Sequence, residues 1–173
     1  MNLADHIRTI PDFPKPGILF YDITTLLQQA DTFKETIRQL TDMVKEWQPI
    51  DLIVAPEARG FIFAAPLALE LGAGLVPVRK PGKLPYTTVA KSYDLEYGSN
   101  TVQIHSDAVS PGKRVLILDD LLATGGTVEA SRQLVAELGG EVVGAAFIME
   151  LLSLEGRKKI KTPNVKSLLQ FEY

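Results

Sequence analysis

In the stretch VLILDDLLATGGT, Val115 to Thr127, two adjacent carboxylates close an apolar run and a Thr-Gly-Gly-Thr turn follows within a few residues. Gly125 and Gly126 let backbone N–H groups converge without interference from Cβ atoms, and Thr124 and Thr127 add hydroxyl donors. A helix starting near Thr127 directs the positive end of its dipole at the same point, so Ala123 to Thr127 form a phosphate cradle that contains no Lys or Arg. Asp119 and Asp120 would repel a phosphate, yet they can accept hydrogen bonds from hydroxyls beside it. Donors for a phosphate next to acceptors for a diol describe a sugar phosphate. The G-x-x-x-x-G-K spacing of a nucleotide-hydrolase loop and the G-x-G-x-x-G of a dinucleotide fold are both missing from the stretch.

These residues need a scaffold that brings a strand end and a helix start together. The run before Asp119 is continuously apolar, as a strand covered on both faces of a parallel sheet must be. LIVA at 52–55, LVPV at 75–78 and EVVGAAFIMEL at 141–151 predict three further strands. Between them, FIFAAPLALELGAG and TVEASRQLVAELGG predict helices stopped by glycines. An earlier helix is predicted from Phe33, Ile37, Leu40, Val44 and Trp47, spaced alternately by four and three, with Thr32 and Glu35 as a capping box. Strands alternating with helices indicate an α/β fold with a mainly parallel sheet, whose ligands bind beyond the carboxyl ends of the strands. The exception is the stretch 80–99, KPGKLPYTTVAKSYDLEYGS, which reads as a flexible functional loop holding at most a short hairpin, with TVQIH after it as an exposed strand.

The chain of 173 residues is read as one domain, 46% hydrophobic, with a net charge of -3 and 23% charged residues. That balance gives no basic footprint for nucleic acid, so anion binding has to be local. There is no cysteine, which excludes disulfides, thiolate metal sites and a cysteine nucleophile. The N-terminus shows no apolar signal segment and no run approaches a membrane span, so a cytoplasmic location is the expectation. His6 and His105 fit no metal-ligand spacing and are read as structural.

VLILDDLLATGGT resembles the signature of the type I phosphoribosyltransferase family, and within it the adenine-specific members resemble this chain over nearly its whole length. IPDFPKPGILFYDITTLL, EARGF, RKPGKLP, SYDLEYG and the LLQFEY ending carry that resemblance, in the family's order. It implies a type I phosphoribosyltransferase fold with a small N-terminal hood over residues 1–30 and a catalytic loop at 80–99. It also implies transfer from phosphoribosyl diphosphate to adenine, giving AMP and diphosphate, with Mg²⁺ carried by substrate and water rather than by a protein site, and a homodimer.

By the same resemblance, Ala123, Thr124, Gly125, Gly126 and Thr127 bind the 5-phosphate, and Asp119 and Asp120 face the ribose hydroxyls or metal-bound water. Glu57, Ala58, Arg59, Arg79, Lys80 and Lys83 bind diphosphate, with a cis bond between Glu57 and Ala58. Leu19, Phe20 and Tyr21 read the adenine, although some members carry arginine where this chain has Tyr21, and Tyr86 stands where others have glycine. Glu96 matches the proposed catalytic glutamate, placed to handle the purine proton. A phosphoribosyltransferase for hypoxanthine, guanine or xanthine, and a non-catalytic regulator sensing phosphoribosyl diphosphate, are the alternatives; the regulator lacks the DNA-binding segment or basic face it would need.

Overall fold

A computed structural model describes residues 1–172. The final Tyr173, part of the LLQFEY segment, lies outside the described residues. All four expected strands form, in two strand–helix–strand runs: β3 (Leu52–Pro56), α3 (Arg59–Leu71), β4 (Gly74–Val78), then β7 (Arg114–Leu122), α4 (Gly126–Glu137) and β8 (Glu141–Leu151). A fifth, β9 (Val165–Phe171), completes a parallel sheet of order β4-β3-β7-β8-β9. Sequence reading missed β9 as a strand, because residues 165–171 mix apolar and polar positions and end the chain's resemblance to a core element.

The period-two alternation of strands divides the core. Ile53, Ala55, Leu116 and Leu118 pack toward α3 and toward α2 (Ala30–Val44), with Leu40, Val44, Phe63 and Leu67. Their neighbours Val54 and Val115 pack instead with Ala130, Leu134 and Val135 of α4. Both layers are needed for a sheet whose central strands have no wet face.

The helix α2 has the predicted apolar face, with Leu40 and Val44 fully buried, but not the predicted cap. It begins at Ala30, so Thr32 already lies inside it, where its hydroxyl donates to the carbonyls of Leu26 at 2.7 Å and Gln29 at 3.0 Å. Glu35 is engaged by Arg38 and Gln39.

The stretch 80–99 contains the short hairpin that the sequence allowed for. Its second half is regular: β5 (Thr88–Asp94) pairs antiparallel with β6 (Ser99–His105) from Thr88↔His105 to Asp94↔Ser99. TVQIH belongs to β6, and it is only half exposed, since Val102 and Ile104 are buried in the α4 layer. Alternation was therefore the correct signal, and the hidden face is supplied by α4.

A second two-stranded unit, β1 (Arg8–Pro11) with β2 (Leu19–Asp22), lies in the segment expected to be the N-terminal hood and is called the hood below. Its root is Asp22, which accepts from the hydroxyl of Thr24 at 2.7 Å and from Arg8, bonds that hold its carboxyl down to about 2. Its second strand, β2, is held by Tyr21, stacked on Phe171 of β9 with ring centroids 4.3 Å apart.

In the turn that follows α2, the Trp47 ring lies close over Gly144 of β8. A Cβ at Gly144 would lie 2.6 Å from the ring carbon Cε3. Gly144→Ala should therefore overpack the core and destabilise the chain by about 1–3 kcal/mol, read as a lower urea midpoint. An unchanged midpoint would show that the ring moves aside without cost.

Candidate active site

The carboxyl edge of the sheet carries a row of cavities, and their walls contain most of the residues singled out in the sequence. The first, about 170 Å³, lies under the hood between Leu19, Phe20 and Tyr21 and the strand ends Asp120, Leu121 and Met149. The second, about 80 Å³, is the turn itself, lined by Asp119 and by Ala123 to Val128. The third, about 200 Å³, lies between the ends of β3 and β4 and the hairpin, with Glu57, Arg79, Lys80, Asn100 and Thr127 in its wall.

Gly125 takes φ +84 immediately before α4, so the turn places the start of the helix at the cavity. It is also held from behind. A Cβ at Gly125 would meet the Gly156 carbonyl oxygen at 2.5 Å, and a Cβ at Gly156 would strike the Ala123 carbonyl. Gly156 is kept there by its neighbour Arg157, whose guanidinium donates twice to buried Glu150 at 2.6 Å and once to the Val165 carbonyl. Sequence reading missed Glu150, Gly156 and Arg157. The GR pair carried no local signal, since its purpose is a contact with a turn some thirty residues earlier.

The two aspartates line different cavities. Asp120 is buried beside the hood cavity, with Arg59 Nε 2.8 Å from its Oδ2 as an ion pair rather than an aligned hydrogen bond. Asp119 faces the turn cavity and accepts from the Asp120 backbone N–H at 2.8 Å. Burial, then the charge of Asp120, push the Asp119 carboxyl well above its ordinary value of 3.8.

Arg59 is accordingly displaced from its expected company. It lines the hood cavity with Asp120, not the cavity of Arg79 and Lys80, because it opens α3 directly across from the buried carboxylate. The bond between Glu57 and Ala58 is cis, as the resemblance implied. Glu57 accepts from the Lys80 backbone N–H at 2.7 Å and lies 3.4 Å from Arg79 Nε, so its carboxylate braces the cationic segment instead of meeting an anion. Arg79 Nε is buried without a hydrogen-bond partner among the described residues, beside the third cavity. Ala58 and Lys83 are exposed and line none of the three cavities.

Glu96 is also outside them. It sits exposed at the hairpin tip, which is closed by the Leu95 N–H donating to the Gly98 carbonyl at 2.9 Å. Tyr21 offers no charge to the hood cavity, and its ring and hydroxyl are turned to Phe171 and the Glu172 carbonyl. Tyr86, which replaces a glycine of the family pattern, packs edge-on against His105 with centroids 6.1 Å apart.

Among the described residues no cluster of three or more His, Asp or Glu side chains is placed to hold a metal ion. At the hood and turn cavities the carboxylate oxygens are those of Asp119 and Asp120, a donor set suited to the water shell of an ion that arrives on a ligand.

The raised Asp119 has a measurable consequence. The folded chain binds that proton more tightly than the unfolded one, so its favourable contribution is complete below about 3.8 and is lost as pH rises through the raised value. Asp119→Asn keeps the acceptor oxygen and removes the charge. It should raise the thermal midpoint at pH 7, with the difference vanishing in acid; a lower midpoint at pH 7 would show that the carboxylate is favourably paired.

Comparison with known proteins agrees with this geometry. The phosphoribosyl transferase domain family matches residues 22–171. The adenine phosphoribosyltransferase of Thermotoga petrophila is 56% identical over 171 residues, 99% of this chain and 100% of that protein. That of Ruminiclostridium cellulolyticum is 54% identical over the same span. The crystal structure of adenine phosphoribosyltransferase from Thermoanaerobacter pseudethanolicus superimposes with a TM-score of 0.94 at 53% identity, covering 98% of each chain. The Saccharomyces cerevisiae structure, complexed with an imino-altritol bisphosphate and adenine, gives 0.92 at 40% identity and 96% of each chain. With the turn, its paired aspartates and the hood all in place, the chain belongs to the adenine phosphoribosyltransferase family of phosphoribosyl transferase domains.

Proposed function

We propose that this chain transfers the 5-phosphoribosyl group of phosphoribosyl diphosphate to adenine, releasing AMP and diphosphate. The observation that carries the reading is the order of the three cavities: an apolar one under the hood, the turn in the middle, and a cationic one beyond it. A flat base, a sugar phosphate and a diphosphate follow one another in the same order along the reacting pair. The yeast relative, bound to adenine and a bisphosphate, supports the assignment.

In the reaction the bond from the anomeric carbon to the diphosphate oxygen breaks, a bond from adenine N9 forms, and the N9 proton must leave. Ala123 to Thr127 hold the 5-phosphate through backbone N–H groups and hydroxyls. Asp119 and Asp120 accept from the ribose hydroxyls, one from each side, since they line neighbouring cavities. Arg79 and Lys80 oppose the charge that develops on the departing diphosphate. Mg²⁺ carried on that diphosphate would neutralise it further, and Asp119 and Asp120 would hold its water shell.

Leu19 and Phe20 border the base, where main-chain groups can discriminate an amine from a carbonyl by leaving the wrong base unpaired. Arg59, on the hood side, serves base and ribose rather than diphosphate. Glu96 takes the proton, which requires the hairpin tip to come over the crevice. Lys83 is then the cation that depends on a second copy of the chain, consistent with the homodimer of the family pattern. A cytoplasmic salvage setting is part of the same reading.

With phosphoribosyl diphosphate and Mg²⁺ present, diphosphate release should occur with adenine and not with hypoxanthine, guanine or orotate. Preference for another base would overturn the reading, and no turnover with any would favour a sensor. Glu96→Gln should lower kcat by about 10²-fold or more while leaving phosphoribosyl diphosphate affinity nearly unchanged. An unaltered kcat would remove Glu96 from the chemistry.

A further inference from the structure

Tyr93 lies in the SYDLEYG segment but has no role in the site described so far, yet it touches the phosphate turn directly. Its hydroxyl lies 2.7 Å from Thr127 Oγ1. Its ring rests on the bare Cα of Gly126, where a Cβ would stand 2.7 Å from Tyr93 Cδ2. The second glycine of the turn is thus needed for the hairpin as well as for the phosphate.

The hydrogen-bond arithmetic gives this contact a direction. A threonine hydroxyl has one hydrogen and two lone pairs, whereas phosphate oxygens act as acceptors. If Thr127 donates to the 5-phosphate, it can meet Tyr93 only by accepting, so the Tyr93 O–H must point at Thr127. Tyr93 then occupies the lone pair of Thr127 and aims its hydrogen into the cradle, and two bonds in series strengthen each other.

The same strand leads to the hairpin tip, three residues on at Glu96. Lys91 of β5 adds an ion pair to Glu137 of α4 at 3.1 Å. The other arm is tied elsewhere: Gln103 of β6 exchanges backbone hydrogen bonds of 3.0 and 2.7 Å with Arg79, in the wall of the cationic cavity. One hairpin is therefore fastened to both anion-facing cavities.

We infer that Tyr93 is a positioning residue that couples the 5-phosphate turn to the hairpin carrying Glu96, by donating to Thr127 while Thr127 donates to the phosphate. This rests on the proposed 5-phosphate site. It differs from simple ring packing because it requires the phenolic O–H and applies only to phosphate-bearing ligands.

Calorimetric titration with AMP, ribose 5-phosphate and adenine tests it on the wild-type chain, Tyr93→Phe, Thr127→Val, Thr127→Ser and the double variant Tyr93→Phe/Thr127→Val. Tyr93→Phe should weaken AMP and ribose 5-phosphate by about tenfold, the value of one hydrogen bond, and leave adenine affinity unchanged, which also reports an intact fold. In the Thr127→Val background Tyr93→Phe should cost nothing more, and Thr127→Ser should bind as wild type. Wild-type affinity for AMP in Tyr93→Phe, or losses that multiply in the double variant, would overturn the coupling. A wild-type chain that binds ribose 5-phosphate but forms no AMP would overturn the transferase reading alone, and one that binds neither ligand would overturn both.

Discussion

The proposed site depends on one turn being able to hold an anion with backbone N–H groups and threonine hydroxyls, without a cation. Ala123 to Thr127 include no cation, so attraction must come from converging amides and the start of α4, and those work only if the turn cannot relax. Rigidity is supplied from outside the motif. Gly156 presses backbone against backbone behind Gly125 and Ala123, and Arg157 with buried Glu150 holds Gly156 in place. Ring contact from Tyr93 closes the other side at Gly126. No side chain fits in either contact, which explains why small residues cluster at 123–126 and again at 156.

The electrostatics follow from the same economy of space. Placing Asp119 and Asp120 on consecutive positions at a strand end burdens the fold with two carboxylates, one of them pushed toward its protonated form. Arg59 relieves the deeper one. That pairing draws Arg59 away from the cationic segment, where Glu57 instead braces Lys80 and Arg79. The hood cavity and the third cavity therefore have separate cations in their walls, Arg59 in one and Arg79 with Lys80 in the other.

The parts legible in the sequence were those whose signal is local. The apolar run into Asp119, the helical face of α2 and the alternation of Val102 and Ile104 each reflect a repeat set by backbone geometry, and each element formed where predicted. The capping box failed because helix entry is chosen by chain direction, and α2 starts at Ala30 on the far side of Gln29. Residues 80–99 are largely loop around a short hairpin, as read, and prolines and glycines at the two ends obscured only the extent of β5 between them. Tyr21 could be recognised as a departure from the family pattern, but its partner Phe171 lies 150 positions away.

By itself the sequence determined the chemistry of the central stretch: amides and hydroxyls for a phosphate, carboxylates for a diol, and an α/β scaffold to join them. Such requirements depend on residue type and short spacing, which one strand and one turn express completely. Tertiary structure decided which neighbours complete the site. It put Arg59 with Asp120, Gly156 behind the turn and Tyr93 on Gly126, and it left Glu96 at a hairpin tip. Those pairings join residues from about 30 to 60 positions apart, and only the packing of the sheet, α4 and the hairpin sets their distances.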